Sequence, residues 1–233
     1  MDDSAVSAMD DGDTTSVIGR LGDEAGLRVE PRQGAKRMLD IALAAAFLIV
    51  FSPLLFGLTA LLLGLQGRPI LFGHKRVGKD GKLFTCYKFR TMVNDSQEAL
   101  RRHLDADPEA RIEWEATQKL KDDPRITPLG RTLRKLSLDE LPQFLNVLFG
   151  EMSLVGPRPI VPAELRFYGA DASAYYAVRP GITGLWQVSG RSNVAYAARV
   201  RLDVEYVRDW SLSRDIMILA RTVPAVLTSN GSC

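Results

Sequence analysis

The chain has 233 residues, enough for one apolar segment and one globular domain of ordinary size, and its net charge is only +2. Two cysteines, Cys86 and Cys233, supply neither a disulfide framework nor a zinc site, and no helix-turn-helix, zinc-finger or RNA-binding signature makes nucleic acid a partner. Residues 1–30 carry eight acids against Arg20 and Arg28, a net of −6, so the rest of the chain carries +8; a basic body suits an anionic surface or an anionic substrate.

Residues 1–34 are rich in Asp, Ser, Gly and Thr and poor in large apolar side chains, which predicts a disordered acidic tail. Residues 41–65 come next, 25 residues without a charge. At about 1.5 Å per residue a straight helix of that length reaches about 37 Å, more than the roughly 30 Å of a bilayer core. Ser52-Pro53 sits at its middle. Proline removes a backbone donor and kinks a helix, and a preceding serine can bond the groups the kink frees. Lys36 and Arg37 precede the run, and Arg68, Lys75, Arg76, Lys79 and Lys82 come after it, so both flanks prefer the cytoplasmic side. A kinked single span and a re-entrant segment are both open at this point.

Residues 70–92 read as a β-hairpin: two β-prone runs around Gly78-Lys79-Asp80-Gly81. Residues 94–120 form a charged helical insertion interrupted at Pro108, with no chemistry assigned to it. Residues 129–136 give a basic amphipathic turn or two, either a solvated or membrane-facing helix face or part of an anion site. A helix opening at Ser137-Leu138-Asp139-Glu140 and running to about 149 is expected, because Pro142 is tolerated only in a first turn. Segment 150–162 is turn-rich and 179–184 is a tight turn. Short helical patterns lie at 163–168 and 172–178, and two last helices at 195–210 and 211–227.

Asp139-Glu140 is the pair most suited to chemistry. Adjacent carboxylates can divide work, one attacking or holding a metal and the other positioning a charge or a proton. Taken alone, Ser-x-x-Glu is also a helix capping box. Lys88, Arg90, Arg134, Arg158, Arg179 and Arg191 all lie in or beside turn-rich segments, and Arg158 is fixed between Pro157 and Pro159. Guanidinium groups grip phosphate in a bidentate manner. Acids, arginines and an apolar segment together point to a phosphorylated substrate handled at a bilayer. No Walker A loop or dinucleotide fingerprint is present, and His74 and His103 are isolated.

At these residues the sequence resembles the bacterial sugar transferases, the monotopic phosphoglycosyl transferases. The likeness runs from about residue 36 to 227. It rests on Lys36-Arg37 with Asp40, the run around Ser52-Pro53, Tyr87-Lys88-Phe89-Arg90-Thr91-Met92, and Leu136-Ser137-Leu138-Asp139-Glu140-Leu141-Pro142-Gln143 with Asn146-Val147. Met152-Ser153-Leu154-Val155-Gly156-Pro157-Arg158-Pro159, Arg179-Pro180-Gly181-Ile182-Thr183-Gly184, Gly190-Arg191 and Leu202-Asp203 complete it.

The resemblance implies an α+β, mostly helical, monotopic membrane protein: a disordered tail over 1–34, a re-entrant helix-break-helix over 35–67 with its break at Ser52 and Pro53, and a catalytic domain over 68–228 with amphipathic interfacial helices and a small β-hairpin. It further implies that Asp139 is the nucleophile and Glu140 its partner, both at a Mg²⁺ ion. Lys88, Arg134, Arg158, Arg191 and Asp203 match substrate- or metal-binding positions. The implied donor is a UDP-sugar, UDP-galactose or UDP-glucose before others, and the acceptor is undecaprenyl phosphate, with UMP released, as the first membrane step of exopolysaccharide synthesis. The implied place is the cytoplasmic face of a bacterial inner membrane, against its lipid, with a homodimer as the candidate assembly. A non-catalytic, membrane-anchored assembly protein is the alternative, and a transferase moving only the sugar is a third reading.

Overall fold

The computed structural model describes residues 33–117, 120–190 and 194–227. The acidic stretch 1–32 lies outside the described residues, as do Arg191 and Cys233.

Two helices come first, α1 (Gln33–Val50) and α2 (Ser52–Gln66). They meet at Phe51 with a 62° bend. Pro53 cannot donate to the Ile49 carbonyl four residues back; the Ser52 hydroxyl donates to that carbonyl instead, at 2.8 Å. The Ser-Pro pair therefore makes the break and also satisfies it, as the sequence led us to expect. Among the described residues no single helix is long and apolar enough to cross a membrane, but this bent pair meets the length and composition together. Its outward side is an unusually apolar surface: Ile49 is 74% exposed, Val50 69%, Phe56 75% and Leu65 68%.

The foot of α1 is bolted to the rest of the molecule by polar contacts. Lys36 Nζ donates to Asp215 Oδ2 at 2.5 Å and to the Val155 carbonyl at 3.0 Å. Buried Asp215 also accepts from Tyr206 and Trp210. Arg37 donates to the last carbonyls of a later helix, Val147 and Leu148, where a cation also suits the helix dipole. Buried Asp40 accepts from the Ser153 hydroxyl and the Leu154 amide. The Lys-Arg-x-x-Asp motif is thus a clamp between the bent helix and the domain.

The expected hairpin is present. Strands β1 (Leu71–Val77) and β2 (Leu83–Phe89) pair antiparallel around a 3-10 turn at Lys79–Gly81. The charged insertion folds as α3 (Ser96–Ala106) and α4 (Pro108–Thr117), broken before Pro108 as expected. It leaves and rejoins the body at an isolated bridge between Met92 and Ile126. Next come α5 (Pro128–Lys135), a 3-10 turn at Leu138–Glu140 and α6 (Gln143–Phe149).

Segments read from the sequence as turns contain a second sheet. β3 (Ser153–Val155) and β4 (Gly181–Thr183) pair in parallel, with 3-10 turns at Pro162–Phe167 and Gly169–Asp171 and helix α7 (Ala172–Tyr176) between them. Three-residue strands leave no alternation to detect. The two backbones touch: a Cβ on Gly181 would lie 2.1 Å from the Gly156 amide nitrogen, so only glycine fits there. α8 (Leu185–Ser189), α9 (Tyr196–Arg208) and α10 (Leu212–Leu227) complete the fold.

The main core joins these helices to the hairpin through Val77, Phe84, Val147, Met152, Val155, Tyr175, Val204 and Ile218. A smaller core joins α2 to β2 and α5: Leu58 and Leu62 pack with Phe89 and Leu133, and Leu138 and Leu141 lean on them. Those last two leucines flank Asp139-Glu140, so the second arm of the bent helix directly seats the acid pair.

Candidate active site

The acid pair does not open the helix expected from the sequence. Ser137 adopts a left-handed conformation, φ 56°, makes no capping hydrogen bond, and is followed by the separate 3-10 turn; α6 starts only at Gln143, after Pro142. The proline removes a donor where a continuous α-helix from Ser137 would need one. The capping-box reading of Ser137 and Glu140 is therefore overturned, and Glu140 is free to face the hairpin.

Asp139 and Glu140 have different surroundings. Asp139 is 8% exposed, and its nearest cation, Lys88 Nζ, stands 4.0 Å from Oδ2, too far for a hydrogen bond. Burial pushes its carboxyl pKa up, against the opposing pull of Lys88. Glu140 is clamped: Lys88 Nζ donates to Oε1 at 2.5 Å, and Arg158 Nη2 lies 3.5 Å from the same oxygen. Burial works upward on Glu140 too, but Arg158 and then Lys88 outweigh it and hold the carboxyl at about 2. One acid is a fixed negative charge held by two cations. The other, among the described residues, has no cation within hydrogen-bond distance and only a backbone amide to lower its pKa at close range.

Each cation is placed by a separate element. Lys88 comes from the end of β2, which is docked on α6 by fully buried Asn146: its amide oxygen accepts from Tyr87 N and its nitrogen donates to the Thr85 carbonyl. Asn146 thus pairs with the strand edge as a neighbouring strand would. Arg158 comes after β3 in a loop laced to β4, where Gly181 N donates to the Pro157 carbonyl at 2.8 Å and Gly156 N to that of Thr183 at 2.9 Å. Arg134, at the end of α5, donates through Nε to Thr91 Oγ1 at 2.9 Å and lowers the Asp139 pKa from a distance. α5 approaches this strand end closely, because Gly130 lies against the Thr91 carbonyl.

The structure therefore gathers Asp139, Glu140, Lys88, Arg158 and Arg134 into one region. Arg90, by contrast, is spent on structure, donating to the Gln66 and Gly67 carbonyls at the end of α2. Arg179 donates to the Gly150 carbonyl. Asp203 lies apart: its Oδ2 accepts from Tyr168 at 2.7 Å, it makes no contact with the acid pair among the described residues, and burial pushes it up to about 7. Its Oδ1 is buried without a hydrogen-bond partner.

Sequence reasoning passed over Arg76. The register places Phe72, His74 and Arg76 of β1 opposite Lys88, Cys86 and Phe84 of β2, all on one face of the hairpin. Arg76 is close enough to add to the depression of the Glu140 pKa. Counting back in twos from Lys88 through the predicted turn is the signal that finds it.

No cluster of three or more metal-ligating side chains occurs among the described residues. Mg²⁺ does not need one, since it commonly takes one or two carboxylates plus substrate phosphates and water. The Asp139 carboxylate, with no cation closer than Lys88 among the described residues, and Glu140 Oε2, away from the clamped Oε1, fit that donor set.

The family model for bacterial sugar transferases matches residues 31–229. The chain is 50% identical over 198 residues to the exopolysaccharide production protein ExoY of Rhizobium meliloti, covering 85% of this chain and 88% of that protein. It is 54% identical over 197 residues to the undecaprenyl-phosphate galactose phosphotransferase of Salmonella typhimurium, covering 84% of this chain but 41% of that longer protein. It is 40% identical over 206 residues to the UDP-glucose:undecaprenyl-phosphate glucose-1-phosphate transferase of Caulobacter vibrioides, covering 84% of this chain and 71% of that protein.

Proposed function

The chain belongs to the bacterial sugar transferases, and we propose that it transfers a hexose 1-phosphate from a UDP-sugar to undecaprenyl phosphate, releasing UMP, as an early step of exopolysaccharide synthesis. The observation that carries this reading is the asymmetry of the acid pair: Glu140 is pinned between Lys88 and Arg158, while Asp139, among the described residues, has no cation within hydrogen-bond distance. The names of relatives support the substrates: undecaprenyl phosphate with galactose in one, undecaprenyl phosphate with UDP-glucose in another, and UDP-galactose with a lipid carrier in a third, from Erwinia amylovora.

In this mechanism Asp139 attacks the β-phosphorus of the donor. An oxygen–phosphorus bond forms to the carboxylate, and the bond from the β-phosphorus to the bridging oxygen breaks, so that UMP leaves with the electron pair. An oxygen of the lipid phosphate then attacks the same phosphorus and frees Asp139. Lys88 and Arg158 hold Glu140 charged and face the incoming phosphates; Arg134 approaches from α5. When bound, Mg²⁺ neutralises phosphate charge, with Asp139 and Glu140 as its protein ligands.

The bent helix pair is, in the same reading, a re-entrant wedge in the cytoplasmic leaflet of the inner membrane. Its exposed apolar side supports this, and so does the packing of Leu58 and Leu62 against the leucines that flank the acid pair; in this reading a soluble donor and a lipid acceptor meet at one interface. Cysteine labels on both sides of 41–65 then report from the cytoplasm, and Pro53→Ala moves one of them across; a periplasmic N-terminal label in the wild type refutes the wedge.

The direct test supplies UDP-galactose or UDP-glucose and Mg²⁺ to membranes holding the protein and measures nucleotide release. UMP is expected, and Asp139→Asn lowers its release by several powers of ten. UDP as the product instead, or an Asp139→Asn variant with near wild-type turnover, rejects the covalent route. No nucleotide release with any UDP-sugar favours an assembly protein.

A further inference from the structure

We propose that Arg76 is a third cation on the diphosphate of the nucleotide-sugar donor, working beside Arg158 and Lys88; this rests on the donor chemistry proposed above. Arg76 points from the same hairpin face as Lys88, and its side chain is 22% exposed. Its contacts are poor for a group that costs so much to desolvate. Nη1 makes one 3.3 Å hydrogen bond, to the Pro159 carbonyl, and stands 3.8 Å from Glu164 Oε2. That is outside hydrogen-bond distance, and Glu164 is already occupied by the Val161 amide at 2.9 Å. Among the described residues Nε and Nη2 of Arg76 donate to nothing. An arginine serving as a brace closes short, bidentate bonds instead.

The charge balance argues the same way. Burial and the neighbouring Arg158 both work against the charged form of Arg76. Two guanidinium groups and an ammonium converge where Glu140 is the close counter-charge. With Arg134 counted, four cations face three carboxylates, those of Asp139, Glu140 and Glu164, an excess of one positive charge. A diphosphate is an anion that meets that excess, and a planar guanidinium with unused donors matches its oxygens. The sequence Arg76-Val77-Gly78 thus completes a phosphate cradle whose other walls are β2 and the Pro157-Arg158-Pro159 loop.

The experiment measures UDP and UMP binding to the full-length chain in detergent by calorimetry, with KM and kcat for UMP release beside it. Arg76→Gln is expected to weaken UDP binding and raise KM by about tenfold or more, with a smaller fall in kcat, an unchanged melting temperature, and partial rescue by Arg76→Lys. Glu164→Gln removes the one carboxylate competing for Arg76, so UDP binding stays or tightens. UDP affinity in Arg76→Gln equal to wild type overturns the assignment. So does parallel loss of binding and melting temperature in Arg76→Gln and Glu164→Gln, the behaviour of a structural brace. Wild-type UMP release is measured first: its absence removes the donor chemistry itself, whereas normal release with an unaltered KM in Arg76→Gln removes only the role of Arg76.

Discussion

Replacing Lys36 with Met tests the clamp that holds the bent helix to the catalytic body. Asp215 is 2% exposed and takes three donors: Lys36, Tyr206 and Trp210. Met fills the space of the lysine stem but leaves the carboxylate with two neutral donors and no cation. Removing one partner of a buried pair costs about 3–5 kcal/mol, because the surviving charge stays buried. The Val155 carbonyl also loses Lys36 but keeps Tyr206, at 3.0 Å. For a chain of this size about 1 kcal/mol moves the melting temperature by roughly 2–4 °C, so a fall of about 6–20 °C is expected. Tryptophan fluorescence tracks it well, since Trp210 Nε1 lies 3.2 Å from Asp215 Oδ2. Adding Asp215→Asn to Lys36→Met removes the stranded charge and is expected to restore much of the loss. A single variant costing under about 1 kcal/mol, or a double variant as damaged as the two singles combined, refutes the reasoning.

Three further predictions concern the elements that seat the site. Asn146→Leu strands the Tyr87 amide and the Thr85 carbonyl without their side-chain partner. At about 1–3 kcal/mol for each of these two buried groups, urea midpoints are expected to fall by the equivalent of about 2–6 kcal/mol, and unchanged midpoints reject the docking role. Gly130→Ala places a Cβ 2.1 Å from the Thr91 carbonyl oxygen, so α5 must move away with Arg134. Overpacking of this kind costs about 1–3 kcal/mol, and kcat/KM is expected to fall too; wild-type melting and turnover show that the contact is not rigid. Asp203 is raised from 3.8 to about 7, so between those values the folded protein holds a proton that the unfolded chain has released. Stability therefore falls as pH rises through that window, by up to about 4 kcal/mol. Asp203→Asn, which keeps an acceptor for Tyr168, is expected to flatten this dependence in denaturant melts between pH 4 and pH 8; an unaltered slope places the titration elsewhere.

Local chemistry made much of this protein legible before any coordinates. The break at Ser52-Pro53 comes from a missing amide and a nearby hydroxyl, both local. The hairpin comes from two β-prone runs around a glycine-flanked turn, and the division of α3 from α4 from Pro108. Asp139, Glu140, Lys88, Arg134 and Arg158 were each visible as residue types in suggestive places, and the resemblance named their shared purpose.

What the chain did not disclose is set by contacts between residues far apart in sequence. β3 and β4 are only three residues each, and they exist because Gly156 and Gly181 let two backbones meet. The start of α6 was misplaced because Pro142 marks only that a helix begins nearby: it stands just before the first turn, not within it, and Leu138–Glu140 is a separate 3-10 turn. Lys36 carries no mark of its partner, Asp215, 179 positions away. Sequence alone determined which groups bear charge and where the chain bends. The tertiary structure decided which carboxylate is clamped by cations and which is not, because that depends on desolvation and on cations brought together from β1, β2 and the loop after β3.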